Sequence, residues 1–375
     1  MLLHQQLDAL WSLGQHDSMR LEDLGWDPVW EYHAAEAGGP KRVPGRVATV
    51  DRGRVVVLTD EGAIPASWHF PVSVLGEWAG VMPAVGDWAM ITNAGEVRTL
   101  ETLLPRRSLL ARGIQGGARV AQPLAANVDL VMVVTGLDGD FSLRRIERYL
   151  ALARSGGVRA LVVLSKLDLI DDPDEAIRQA RKATPGLDVV TVSSVTGDGL
   201  IELENEVKPG QTVVLVGSSG VGKSTLINRL LGEERQRTGA VRESDDRGRH
   251  VTTRRELLQL PDGGLVIDTP GLREVGLLAS EEAVLEVFPE IAALSEQCRF
   301  MDCSHVEEPD CAVRDAVDKG ELDADRLAGF HRLVREQASA TRRATEHERR
   351  AHERALTGHY RKTLRASLRL KGREN

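Results

Sequence analysis

Apolar and polar positions follow different periods in different parts of this chain. From Val43 to about Arg107 the apolar runs are short: 45-GRVATV-50, 54-RVVVLT-59, 72-VSVLGEW-78 and 85-VGDWAMIT-92. Gly62, Pro65, Pro71, Pro83 and Gly95 punctuate them, and no helical period runs through. Asp51-Arg52-Gly53 between the first two runs predicts a hairpin. Short strands of this number fit a small N-terminal β-barrel, with the OB-fold as the candidate. Such barrels bind RNA in some proteins and are inert scaffolds in others. The basic residues here (Lys41, Arg42, Arg46, Arg52, Arg54) are mixed with acids and leave both readings open.

From residue 124 the period changes. Buried strands are expected at 128-VDLVMVV-134, 159-RALVVLSKLDL-169, 188-DVVTVSS-194 and 212-TVVLV-216. Helices are expected at 143-LRRIERYLALAR-154, 174-DEAIRQARKAT-184 and after Gly222, and 256-ELLQL-260 and 264-GLVIDTPG-271 read as a closing pair of strands. This alternation predicts a mostly parallel sheet with helices on both faces. Its ligands would sit outside the carboxyl ends of the strands.

The ends are less patterned. Leu7, Leu10, Trp11 and Leu13 suit one face of a short helix, 36-EAGGPK-41 reads as a linker, and Trp26 and Trp30 read as packing residues. A helix is expected over 281-EEAVLEVFPEIAALSEQ-297, with Ser280 as its N-cap, and another over 323-DADRLAGFHRLVREQ-337. Residues 341–375 are Arg-rich with few apolar positions, as an RNA-holding tail or a solvated helix would be.

Composition narrows the class. The chain has 375 residues, 42% of them hydrophobic, and a net charge of −8, so any nucleic-acid contact must come from local patches. Its three cysteines all fall between 298 and 311, which argues for a reducing compartment and a metal site rather than disulfides. The N-terminus lacks a charged n-region with a long apolar core, and no apolar run approaches the roughly 20 residues that span a bilayer. A cytoplasmic protein without membrane contact is expected.

The chemistry centres on Gly217-Ser218-Ser219-Gly220-Val221-Gly222-Lys223-Ser224, followed by Thr225, which matches G-x-x-x-x-G-K-[ST] between a strand and a helix. Glycines let backbone N–H groups approach phosphate oxygens, and the helix N-terminus adds positive potential. Lys223 would bridge the β- and γ-phosphates and Ser224 would ligate Mg²⁺. Asp268-Thr269-Pro270-Gly271 ends a later strand, where an Asp holds Mg²⁺ and the Gly N–H reaches the γ-phosphate.

Ser165-Lys166-Leu167-Asp168 is the base-reading candidate. A carboxylate such as that of Asp168 accepts two hydrogen bonds from the N1–H and N2–H₂ of guanine, an edge adenine does not offer. The usual first residue is Asn, so Ser165 loses a bracing amide; weaker affinity with guanine preference retained is expected. Ser193 and Ser194 would form a second base-side loop. Both loops precede Lys223, the reverse of ordinary GTPases, and a circular permutation is geometrically allowed when termini lie close. Between the P-loop and Asp268, 238-TGAVRESDDRGRHVTTRRE-256 reads as a nucleotide-sensing loop. Thr252 or Thr253 there could ligate Mg²⁺. By chemistry alone His250 reads as a solvated surface imidazole ahead of a catalytic one. Cys298, Cys303, His305 and Cys311 form C-x₄-C-x-H-x₅-C, a closed Cys₃His set of the structural zinc type.

These residues resemble the ribosome small-subunit-dependent GTPase family RsgA, also called YjeQ. The similarity lies in 105-PRRSLLARG-113, 122-QPLAANVDLVMVV-134, 140-DFSLRRIERYL-150, GSSGVGKST, GRHVTT, DTPG and the Cys₃His cluster, in that order. The resemblance implies an OB-fold domain, a circularly permuted GTPase domain and a C-terminal zinc domain. It also implies binding of GTP/GDP, late maturation of the small ribosomal subunit, contact with its rRNA, and hydrolysis stimulated by that subunit. It points to His250 as the residue near the attacking water, because Leu272 stands where Ras-like enzymes place a water-orienting Gln.

The expected organisation is a multi-domain monomer: an extension (1–39), an OB-fold barrel (40–107), a permuted α/β GTPase domain (108–280), and a mostly helical zinc-binding domain with a basic tail (281–375). Two rival functions stay open: a non-catalytic, nucleotide-gated RNA-binding protein, and an ATP-dependent P-loop enzyme.

Overall fold

The computed structural model describes residues 20–39, 41–76, 80–92, 98–112, 122–233, 255–268, 280–340 and 342. The short helix expected around Leu7–Leu13 and the tail from 343 lie outside them.

The first described elements are a 3₁₀ turn (Leu21–Leu24) and helix α1 (Pro28–Ala37). The sequence signal for α1 is local: Asp27 accepts from the N–H groups of Val29 (2.9 Å) and Trp30 (3.3 Å), and Pro28 takes the first helical position. Trp26 and Trp30 are both buried against Trp88, as packing residues, with ring centroids 4.8 and 6.1 Å from it.

Six strands follow: β1 (Arg42–Asp51), β2 (Arg54–Thr59), β3 (Gly62–Ser67), β4 (Ser73–Val74), β5 (Trp88–Thr92) and β6 (Leu100–Leu103). The β1–β2 hairpin forms as expected. β5 pairs antiparallel with β1 and β6, and β4 is only a two-residue parallel rung on β6, much shorter than the run from Val72 to Trp78 suggested. Pro65 lies inside β3 opposite Val56; β3 is laddered on one side only, so the missing N–H is tolerated. A single parallel bridge, Ser67 to Thr99, joins the end of β3 to the start of β6. Among the described residues no continuous ladder closes these strands into a barrel.

A second hairpin, β7 (Leu109–Arg112) and β8 (Gln122–Ala126), leads into the α/β region. There β9 (Leu130–Gly136), β10 (Arg159–Ser165), β11 (Val189–Thr191), β12 (Thr212–Val216), β13 (Glu256–Gln259) and β14 (Leu265–Asp268) form a sheet in the order β11-β10-β9-β12-β14-β13. All neighbours are parallel except β13–β14. One rung, Thr49 opposite Glu256, attaches this sheet to β1. Every residue of β9 is buried, and successive side chains enter opposite cores. Val131 and Val133 face α2 (Leu143–Ser155) and α3 (Asp174–Ala183). Leu130, Met132 and Val134 face α4 (Leu200–Asn205) and α5 (Lys223–Leu231). Helices therefore cover both faces, as the alternating pattern predicts.

The single helix expected over 281–297 is two: α6 (Glu281–Val287) and α7 (Pro289–Ser295). Pro289 cannot donate to the preceding turn, so it restarts the helix at its own first position. The Ser280 hydroxyl caps α6 by accepting from Ala283 N–H (3.1 Å). Then come α8 (Ala312–Asp318) and α9 (324–340). This region is fastened to α2 and α3 by Arg326. Its buried guanidinium donates to Glu147 (2.9 Å), Glu290 (2.6 Å) and the carbonyls of Ala183 (3.1 Å) and Val287 (3.0 Å).

Candidate functional site: the nucleotide loops and the metal-binding cluster

The loop after β12 has the conformation its glycines predict. Gly217 (φ 154°), Gly220 (φ 78°) and Gly222 (φ 99°) occupy backbone regions costly to other residues. At Gly217 space also decides, since a Cβ there would lie 2.3 Å from the Val134 carbonyl oxygen. Lys223 opens α5 and turns back over the loop, its ammonium donating to the carbonyls of Gly217 (2.8 Å) and Ser218 (2.5 Å). Val221 is buried, whereas Ser219 and Gly220 are exposed at the tip and Ser224 and Thr225 half-exposed on the first turn of α5.

The base-side candidates lie two strands away and meet this loop directly. Ser165 is buried at the end of β10, and its hydroxyl lies 2.7 Å from the Val221 carbonyl and 3.3 Å from that of Thr135. It thus makes a bracing contact to the phosphate loop that the missing amide was expected to forfeit. Lys166 follows with a left-handed backbone (φ 62°, ψ 40°), its ammonium 2.6 Å from an Asp138 carboxylate oxygen. That contact, ahead of the burial that opposes it, holds the Asp138 carboxyl below its usual range.

Asp168 is exposed, and its carboxylate is aimed by Ser193, whose hydroxyl donates to it at 2.5 Å. Ser193 is itself buried and accepts from the N–H groups of Val195 (3.2 Å) and Thr196 (3.1 Å). Ser193 therefore orients Asp168. The Ser194 carbonyl accepts from Arg229 on α5 (2.9 Å), a further tie between base-side loop and phosphate-loop helix.

Asp268 ends β14, whose register sets Ile267 beside Val214, so it leaves the sheet next to the strand that carries the phosphate loop. Ser224 and Asp268 offer hard oxygen donors of the kind Mg²⁺ takes. His250, Thr252, Gly271 and Leu272 lie outside the described residues.

The structure adds residues that motif reading missed. Asp138 and Asp140, in the loop after β9, contact Lys166 and Ser218 respectively, and Arg145 pairs with Asp140 (2.6 Å). Asp138 lies in no motif, and nothing within 140-DFSLRRIERYL-150 marks Asp140 as a partner of Ser218, 78 positions away. One of the basic residues of the N-terminal strands is not available to a partner. Arg46 is buried, donating to the carbonyls of Leu24, Gly86 (3.3 Å) and Asn127 (3.0 Å), while burial pulls its pKa down to about 10. It ties three segments together and offers no free charge at the surface.

The ligand atoms of Cys298, Cys303, His305 and Cys311 lie within 4.8 Å of one another. The tautomer of His305 can be read from its neighbours. The Ser295 hydroxyl donates to the Ile291 carbonyl (2.7 Å), so toward His305 Nε2 (3.0 Å) it can only accept. Nε2 then carries the proton, and Nδ1 presents a lone pair toward the sulfurs of Cys298 (3.6 Å) and Cys311 (3.5 Å). The ligand-bearing loop is held by Glu308, whose carboxylate accepts from the N–H groups of Ser304 (2.9 Å), Val306 (3.1 Å) and Glu307 (3.2 Å). Burial, with the Cys311 and Cys298 sulfurs adding to it, pushes the Cys303 thiol up to about 11. A soft, closed S₃N set fits a structural zinc ion.

The strand order and the chain order of these loops define a P-loop GTPase with circularly permuted motifs. A relative from Opitutus terrae, named small ribosomal subunit biogenesis GTPase RsgA, is 47% identical over 336 residues, covering 87% of this chain and 92% of its own. The chain belongs to the RsgA GTPase family and is a GTP hydrolase. The family model described as RsgA GTPase matches residues 103–278. A Streptomyces coelicolor relative of the same name is 44% identical over 324 residues, covering 84% of this chain and 86% of its own. Of solved structures, YjeQ from Thermotoga maritima aligns with a TM-score of 0.58 at 28% identity, covering 79% of this chain and 99% of its own. YloQ, described as a circularly permuted GTPase, aligns with a TM-score of 0.57 at 24% identity over 80% of this chain and 96% of its own, a likeness of fold.

Proposed function

We propose that this chain is a late maturation factor of the small ribosomal subunit that binds its rRNA, with GTP hydrolysis stimulated by the subunit and triggering release. The observation that carries this reading is the long match to relatives named as small-subunit biogenesis GTPases, over most of both chains. The geometry supports its nucleotide side: Ser165 of the base-side loop is hydrogen-bonded to Val221 of the phosphate loop, and Ser194 to Arg229 on the helix that follows it.

In this reading Gly217 to Thr225 cradle the phosphates, and Lys223 exchanges the carbonyls of Gly217 and Ser218 for phosphate oxygens. Asp168, aimed by Ser193, selects guanine over adenine. Lys166 lies along the base, with Ser194 completing the base side. A bound Mg²⁺ would supply charge neutralisation at the phosphates, held by Ser224, Thr252 and Asp268, while the Gly271 N–H reaches the γ-phosphate. His250 acts near the attacking water, since Leu272 cannot orient it. The Cys₃His cluster holds one structural zinc ion. The N-terminal strands form an OB-type barrel, a reading the Ser67–Thr99 bridge supports. The working form is a cytoplasmic monomer; among the described residues no helix is long and apolar enough to cross a membrane.

The test is GTP and ATP hydrolysis by the full chain, with and without purified small ribosomal subunits. GTP turnover should rise steeply with subunits and ATP turnover should not. His250→Ala should abolish the rise while GDP affinity stays unchanged. Equal hydrolysis of the two nucleotides, or no response to subunits, would count against the reading.

A further inference from the structure

The loop that follows β9 has a use that no nucleotide motif describes. β9 lies between β10 and β12, parallel to both, so its carboxyl-terminal loop emerges between the base-side loop and the phosphate loop. That loop carries two carboxylates, Asp138 and Asp140, and each divides its oxygens between two tasks.

Asp138 Oδ1 accepts from the Asp140 N–H (3.0 Å), which folds the loop on itself. Its Oδ2 accepts from the Lys166 ammonium (2.6 Å). Asp140 Oδ1 accepts from Arg145 on α2 (2.6 Å), and its Oδ2 accepts from the Ser218 hydroxyl in the phosphate loop. In each case one oxygen is spent inside the segment and the other grips a nucleotide loop. Gly136 permits this fold, since a Cβ there would sit 2.7 Å from Asp138 Oδ1. Both anions are matched by cations, Lys166 and Arg145, so they can stand close to a triphosphate without an uncompensated repulsion.

We propose that Asp138 and Asp140 are positioning residues for nucleotide binding: Asp138 sets the stem of Lys166 against the base, Asp140 sets Ser218 and the phosphate loop, and the loop joining them fixes the spacing between base and phosphate subsites. The proposal rests on the reading of Lys166 and Asp168 as base-facing and deepens it. It also accounts for Lys166 keeping a left-handed backbone, which a non-glycine residue holds only when its surroundings compensate.

The test is a pair of double-mutant cycles on the full chain, read as GDP affinity with a fluorescent nucleotide. Asp138→Asn keeps the volume and one acceptor but loses the charge that holds Lys166. It should weaken GDP about five- to tenfold, and should add almost nothing in a Lys166→Met background. Asp140→Asn should behave likewise against Ser218→Ala. A loosening of the fold alone would persist in the second background, so additive losses in both cycles overturn the proposal, as does unchanged GDP affinity in both single variants. Asp168→Asn, measured for GDP against ADP, keeps the underlying reading separate. If it loses guanine preference while the cycles are additive, only the present proposal falls. If it keeps guanine preference, the base assignment falls, and the cycles, read on GDP affinity, still decide whether these carboxylates position the loops.

Discussion

Ser165 shows how much one hydroxyl can do at this site. Its place in the base-reading motif reads from sequence as the loss of an amide. What replaces that amide is decided by the approach of Val221, 56 positions along the chain, whose carbonyl lies 2.7 Å from the hydroxyl. Ser165→Ala would leave that buried carbonyl without this donor, at a cost of about 1 kcal/mol. GDP affinity should fall about fivefold with guanine preference intact; a variant binding GDP as well as the parent would show that the bond does not brace the loop. Gly217 is the opposite case, because the motif already demands glycine there. The structure adds the reason, a Cβ 2.3 Å from the Val134 carbonyl, which is backbone and cannot swing away. Arg46 illustrates what sequence hides. Nothing in 45-GRVATV-50 distinguishes a buried arginine that satisfies three carbonyls from one turned toward a partner.

Elements were legible where their signal is local and periodic. The strands of the α/β region and α2, α3 and α5 fall where the pattern places them, because each must bury a continuous face. The break at Pro289 was legible in principle; the helical period on either side is nearly continuous and masked it. The ligand loop between α7 and α8 has no period, and its shape comes from Glu308 gripping the N–H groups of Ser304, Val306 and Glu307. Metal binding at this loop should have a direction in pH. Metal binding requires thiolates, and the bare Cys303 thiol sits up at about 11, so binding at neutral pH must displace its proton. A metal ion held by this cluster should therefore be released as pH falls from about 7.5 to about 5, followed with a metal-sensitive dye; full retention down to about pH 4 would contradict that linkage. Cys303→Ser should lower metal content and melting temperature together.

At the scale of the whole molecule, Arg326 is the fastening between the C-terminal helices and the α/β region. Its partner Glu147 lies on the same helix as Arg145, which holds the loop between the nucleotide subsites. Burial pushes the Glu147 carboxyl above its ordinary 4.5, with Arg326 pulling against it. Arg326→Gln removes that counter-charge and leaves a buried acid, which should cost roughly 3–5 kcal/mol at neutral pH. The sign follows from proton counting. With the counter-charge gone, the folded state holds the Glu147 proton to higher pH than the unfolded chain does. The variant's deficit should thus grow as pH rises through and above 4.5 and shrink toward acid, as denaturant unfolding from pH 4 to 8 would show. A deficit independent of pH would mean that Glu147 is not the group left uncompensated.

The sequence by itself determined the layered α/β architecture, the phosphate loop, the Cys₃His donor set and the motif order, because each is written in contiguous residues whose spacing is dictated by strand, helix or ligand geometry. Only the tertiary structure decided how these parts grip one another. Ser165 on Val221, Lys166 on Asp138, Ser218 on Asp140 and Arg326 on Glu147 join residues 28 to 179 positions apart. Such pairs leave no period to read: Arg326 meets Glu147 where α9 packs on α2, and the other three are brought together by the order of strands in one sheet. That order places β9, a strand with no nucleotide motif, between the two that carry them.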